Sequence, residues 1–188
     1  MASAWFPARK GSLDDFLAVY DPAVDPLAKD PGGSTLLIGS LRNPDPQARV
    51  DIATRLLDDG ADATAATSPS SDSINVFHSL WGRRQERELD RELPLVARLL
   101  DAGADIDHRS PRFGLPIVMM IAALSPDEVT RTWDVIVAHS RPDLSLEGTK
   151  KGTPLGRSLL SYPPLVDRVR AYAAESGQVA QLEEPTDG

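Results

Sequence analysis

The chain has 188 residues, 26% of them charged and 41% hydrophobic, with a net charge of −8 and no cysteine. This balance fits one water-soluble domain, excludes disulfides and thiolate metal sites, and makes nucleic acid a poor partner because an acidic surface repels phosphate. No apolar run approaches the roughly 20 residues of a membrane span, and MASAWFPARKGSLDDF lacks the apolar stretch of a secretory signal, so a cytoplasmic protein with no membrane partner is expected.

Residues 1–11 read as an N-terminal extension in which Trp5 covers the first unit. A helix opens at Ser12 (SLDDFLAVY), followed by a turn at Asp25. GSTLLIGSL from Gly33 predicts a short helix capped by the Thr35 hydroxyl. After NPDPQAR comes VDIATRLLDDGADATA, where Ile52, Ala53, Leu56 and Leu57 keep helical spacing. Gly60 then supplies the positive φ of a helix end. The Ser/Thr/Ala-rich ATAATSPSSDS from Ala63 reads as a mobile insertion in a finger.

SINVFHSLW from Ser73 predicts a second short helix, capped by Asn75. RRQERELDRE from Arg83 reads as a solvated helical extension, because its opposite charges stand at helical contact spacing. LPLVARLLDAGADIDH from Leu93 repeats the earlier helix, with Gly103 at its end. GLPIVMMIA from Gly114 places Pro116 at the first helical position. SPDEVTR and WDVIVAHSRPDLSL follow, then GTPLGRSLL from Gly152, where Pro154 is expected at the first helical position. PPLVDRVRAYAAES from Pro163 predicts a half-polar closing helix, and residues 178–188 read as a disordered tail.

Two families of segment therefore alternate. RLLDDGADATA at Arg55 and RLLDAGADIDH at Arg98 stand 43 positions apart, and the turn aspartates Asp25, Asp62, Asp105 and Asp143 are spaced 37, 43 and 38. Such periodicity marks stacked units that each bury an apolar face against the next. The prediction is an all-α fold over residues 12–177, four to five helix–turn–helix units with short extended fingers.

Thr153-Pro154-Leu155, Phe77-His78 and the two Leu-Leu-Asp-x-Gly-Ala-Asp runs resemble the ankyrin repeat. The units here are longer than the roughly 33 residues of that family. The resemblance implies an ankyrin-like solenoid that binds a protein through its concave face. It also implies that His78 bonds the backbone of a finger. By motif position the binding strip comprises Asp30, Ser34, Arg42, Asp72, Ile74, Trp81, Arg83, Arg109, Arg112, Lys150 and Lys151. Along it the charge changes sign, from Asp30 and Asp72 to Arg109, Arg112, Lys150 and Lys151, which would orient a partner of opposite polarity.

No phosphate-binding loop, nucleophile elbow or dinucleotide fingerprint occurs in the sequence. The competing enzymatic or metal-binding reading rests on His108, Asp105 and Asp143, which adjoining fingers could bring together. His139 is expected to contact the negative end of its own helix, Met119 or Met120 to fill the core, and Trp133 to be buried. The leading expectation is a monomeric, non-enzymatic protein-interaction module without a cofactor. The alternative, by analogy with stand-alone bacterial repeat proteins, is an immunity protein that neutralises a basic toxin.

Overall fold

Two 13-residue helices, Pro46–Asp58 and Leu89–Asp101, end in the same way. Gly60 and Gly103 take φ of +86° and +88°. The next amides, Ala61 N–H and Ala104 N–H, then reach back to the carbonyls of Leu56 and Leu99 at 2.9 and 3.0 Å. This closing motif satisfies the last carbonyls and needs a left-handed residue. It turns the chain out of each helix into an extended finger, so the sequence repeat becomes a structural one.

The computed structural model describes residues 3–82 and 85–183. It is all-helical, and the described residues hold no strand, only isolated antiparallel bridges within fingers: Lys29 with Thr35, Ser110 with Gly114, and Glu147 with Pro154. A first row is formed by α1 (Trp5–Lys10), α3 (Leu36–Ser40), α5 (Val76–Trp81), α7 (Pro116–Ala123) and α9 (Leu155–Leu160). A second row is formed by α2 (Leu13–Leu17), α4 (Pro46–Asp58), α6 (Leu89–Asp101), α8 (Pro126–His139) and α10 (Val166–Ser176). Packing follows chain order: α1 on α3, α3 on α5 and α5 on α7, and likewise α2 on α4, α4 on α6 and α6 on α8. The 3-10 turn Pro163–Leu165 packs against α8 ahead of α10. No helix among the described residues is long and apolar enough to cross a membrane.

The rows share one core. Leu36, Ile52, Leu56, Phe77, Leu99 and Trp133 are all essentially without solvent contact. Short helices are marginal alone, so their stability comes from this shared packing. Caps sharpen their starts: Thr35 Oγ1 accepts the Ile38 N–H at 3.2 Å, and Asn75 Oδ1 accepts the N–H groups of Phe77 and His78. Helix α9 begins at Leu155, so Pro154 stands just before the first helical position rather than on it.

Several expectations are corrected. Of the expected extension 1–11, the described residues 3–11 are not an appendage, since α1 lies in the first row with Ala4 and Ala8 buried. Asn43 Nδ2 ties the segment down by donating to the carbonyls of Ala8 (3.2 Å) and Gly11 (2.9 Å). The insertion after Ala63 is an ordered finger, because Ala61, Ala63, Ala65 and Thr67 are buried at every second residue. Thr67 N–H donates to the Ile74 carbonyl, and Ser68 N–H donates to the Gly32 carbonyl of the preceding finger. Of the supposed tail, Gln178 docks on the fourth finger through the Leu144 N–H (2.7 Å) and the Pro142 carbonyl (3.1 Å). Val179–Leu182 then form a 3-10 turn packed on α9 and α10.

The expected solvated helix over RRQERELDRE is corrected in part: 89–92 are helical as the opening of α6, and Arg83 and Arg84 lie outside the described residues. Residues 85–88 are non-helical, and Arg87 joins a buried cluster. Glu92, on α6, pairs with Arg49 of α4 and, at 2.8 Å, with Arg87; Arg49 and Glu92 are 0% and 3% exposed. Arg49 also donates to the carbonyls of Asn43 and Glu86, and Arg87 to that of Leu80 at 2.8 Å. Charges can be buried here because each is paired and hydrogen-bonded.

Along the outer surface the second row is laced by ion pairs of constant order. Asp51 and Asp58 of α4 meet Arg91 and Arg98 of α6; Asp90 and Asp101 of α6 meet Arg131 and His139 of α8; Asp134 of α8 meets Arg168 of α10. His139 thus contacts a neighbouring helix as well as ending its own.

Candidate interaction face

Fingers are held to one another by side chains that reach one unit along. His78 is 2% exposed. Its Nε2 lies 2.9 Å from the Gly114 carbonyl, which can only accept, so Nε2 carries the proton. Burial, then the His108 ring, push its pKa below the ordinary value, while the Gly114 hydrogen bond acts the other way. His108 repeats the device one finger earlier, with Nε2 2.8 Å from the Ser73 carbonyl. The two imidazoles meet edge to face with centroids 5.8 Å apart. Asn75 Nδ2 donates to the Asp105 carbonyl, and Ser110 Oγ donates to the Asp72 carbonyl, both at 2.6 Å.

His108, Asp105 and Asp143 do not converge. Asp105 and Asp143 turn their carboxylates onto the N–H groups of Asp107 and Ser145, and His108 is engaged with Ser73. No group of three potential ligands gathers among the described residues. The unusual carboxylate is Asp107. One oxygen accepts the Asp143 N–H at 3.0 Å, the other is buried without a partner, and burial raises its pKa to about 6, with Asp105 and Asp143 adding repulsion.

Two concavities with no lining residue in common border the first-row helices and the fingers, together called the trough below. The N-terminal part, about 300 Å³, is lined by Trp5 and Arg9 of α1, by Arg42, Asp72 and Ile74, and by Phe113. Asp30 and Ser34 line it as well, so five of the predicted residues do come together. The C-terminal part, about 240 Å³, is apolar: Val118, Ile121 and Ala122 of α7 face Leu155 and Leu159 of α9, with Tyr162 at one end.

The remaining predicted residues divide. Trp81 is not on the surface: it is 3% exposed and stacks on Phe77 with centroids 5.2 Å apart, because α5 is packed between α3 and α7 and every one of its residues is buried. Ile74 is 6% exposed and shows only an edge to the trough. Arg83 lies outside the described residues. The sign change along the strip is largely cancelled. Arg112 pairs with Asp72 at 3.2 Å, Arg109 pairs with Glu147 at 3.0 Å, and Asp30 is spent on the N–H groups of Gly32 and Ser34. Lys150 and Lys151 are exposed and make no ion pair among the described residues.

Sequence reasoning missed Phe113, which is 38% exposed under the Arg112 guanidinium at 5.1 Å. It also missed the apolar lining from α7. The available signal was PIVMMIAA itself, a helix without a polar side, which a two-row stack cannot cover all round.

No protein-family profile and no curated protein matches the chain. Among solved structures it is similar to a functionally unknown protein from Leptotrichia buccalis, at 17% identity and a TM-score of 0.69, covering 93% of this chain and 94% of that one. The likeness shows a shared fold.

Proposed function

We propose that the chain is a non-enzymatic protein-interaction module, an ankyrin-like solenoid that receives its partner in the concave trough. The supporting observation is the trough itself. Its two concavities are built from α1, α3, α7 and α9 and four fingers, and they present partly exposed apolar side chains beside polar groups, the composition of a contact surface. The ordered fingers and their unit-to-unit links supply the rigidity such a surface needs.

The test is affinity capture from the source organism with three forms of the full chain: wild type, a Phe113→Glu/Ala122→Glu trough variant, and an Arg131→Glu outer-face variant. A partner retained by wild type and the outer-face variant but lost from the trough variant supports the reading. A partner indifferent to the trough variant overturns it. A second reading, neutralisation of a basic toxin, draws on the net charge of −8. Its contact would lie on the acidic surface and would survive reversal of Lys150 and Lys151.

A further inference from the structure

We propose that the α7–α9 concavity holds an amphipathic acidic segment of a partner protein, apolar side chains on Val118, Ile121 and Ala122 and carboxylates on Lys150 and Lys151. This rests on the reading above and names the chemistry of the occupant.

Three observations converge. First, α7 carries no polar side chain. Ile117 and Met120 are fully buried on its core side, Val118 and Ile121 keep an exposed edge, and Ala122 is exposed. An apolar strip left partly open beside α9 is a surface that a partner's apolar side chains can cover.

Second, the adjoining charge has one sign. The arginines of the preceding finger are neutralised by Glu147 and Asp72, and Glu147 also accepts the Gly152 N–H at 3.0 Å. Lys150 and Lys151 are left as adjacent uncompensated cations on a protein of net charge −8.

Third, the lysine turn is anchored at the rim of the same trough. Thr149 lines it, and its N–H donates to Ser158 Oγ of α9 at 3.3 Å. Apolar floor and basic rim are thus one surface, complementary to a segment that alternates apolar and acidic residues. A second copy of this chain fits less well, since a two-fold contact through this face would bring the lysine pairs of both copies together.

The probe is a displayed library of random short peptides, panned on the full-length protein. Winners are resynthesised and titrated by fluorescence anisotropy. The expected winners combine Asp or Glu with Leu, Ile or Phe. Their affinity should fall at least fivefold with Lys150→Glu/Lys151→Glu, and separately with Ala122→Glu, while unfolding midpoints stay unchanged because all three positions are exposed. Raising salt should weaken wild-type binding and leave the lysine variant nearly unaffected. Basic or purely apolar winners, winners indifferent to both variants, or no winners would overturn the proposal. So would concentration-dependent dimerisation abolished by Ala122→Glu. Should the proposal fail while captured partners remain sensitive to the trough variant, the interaction reading stands and only the occupant's chemistry is wrong.

Discussion

His78 Nε2 donates to the carbonyl of Gly114, 36 residues further on, and so ties a first-row helix to the next finger. Replacing it with alanine strands a half-buried carbonyl and opens a small cavity. His78→Ala is expected to cost about 2 kcal/mol in urea unfolding at pH 7.5. Because burial holds the folded pKa below the model-compound value of 6.5, the unfolded chain binds the proton more readily. The stability that the neutral ring contributes is therefore lost as pH falls below 6.5 towards the folded pKa. The alanine variant should lose that part of the slope.

Asp107 works in the opposite direction. Its folded pKa, about 6, lies above the ordinary 3.8, so its favourable contribution is complete below 3.8 and is lost as pH rises through about 6. Asp107→Asn should raise stability at pH 7 by about 1 kcal/mol after allowance for solvent screening. It should also flatten the profile between pH 4 and 6. An unchanged unfolding midpoint at pH 7 would count against the buried, partnerless oxygen.

Glu92 sits between Arg49 and Arg87 with almost no exposure. Glu92→Gln leaves two guanidinium groups without their anion and should destabilise by about 3 kcal/mol, measured by chemical denaturation. The outer ladder should behave otherwise. Arg131→Gln removes an exposed pair with Asp90 and should cost at most about 1 kcal/mol, a difference that shrinks in high salt.

Thr67 is 6% exposed, accepts the Ile74 N–H at 2.9 Å and donates to the Ser71 carbonyl at 2.9 Å. Thr67→Val keeps the volume and removes both bonds. Loss of about 1 to 2 kcal/mol is expected, together with faster amide exchange over residues 67–74, which would be absent if this finger were already mobile.

The all-helical character and the alternation of short and long helices were legible because Leu-Leu-Asp-x-Gly-Ala-Asp encodes both an apolar stripe and its stop. The finger at 61–67 was misread from composition. Ala and Thr look featureless, yet their burial at every second position is the period of extended chain packed on one side. Helix α1 was missed because the residues it buries fully, Ala4 and Ala8, are small, and Trp5 packs on the core only in part. The Arg49–Glu92 pair escaped for a different reason: its partners are 43 residues apart. That separation equals the spacing of Arg55 and Arg98, so the two residues hold equivalent positions in successive helices. Opposite charges one repeat apart were the available signal. Of the binding strip, Asp30, Ser34, Arg42, Asp72 and Ile74 were placed on one trough by motif position alone. Cancellation of Arg109 and Arg112 was not foreseeable without knowing which fingers touch.

In the outer ladder the acid always belongs to the earlier helix and the base to the later one. Each long helix between the ends therefore presents carboxylates forward and cations backward, like a tile with unlike edges. In a tandem duplication of the unit containing α6, Asp101 would stand where Asp58 stands now and meet the copied Arg98, whereas a unit inserted in reverse would meet its own sign. Lengthening by copying in place is the evolutionary change that this surface tolerates most readily.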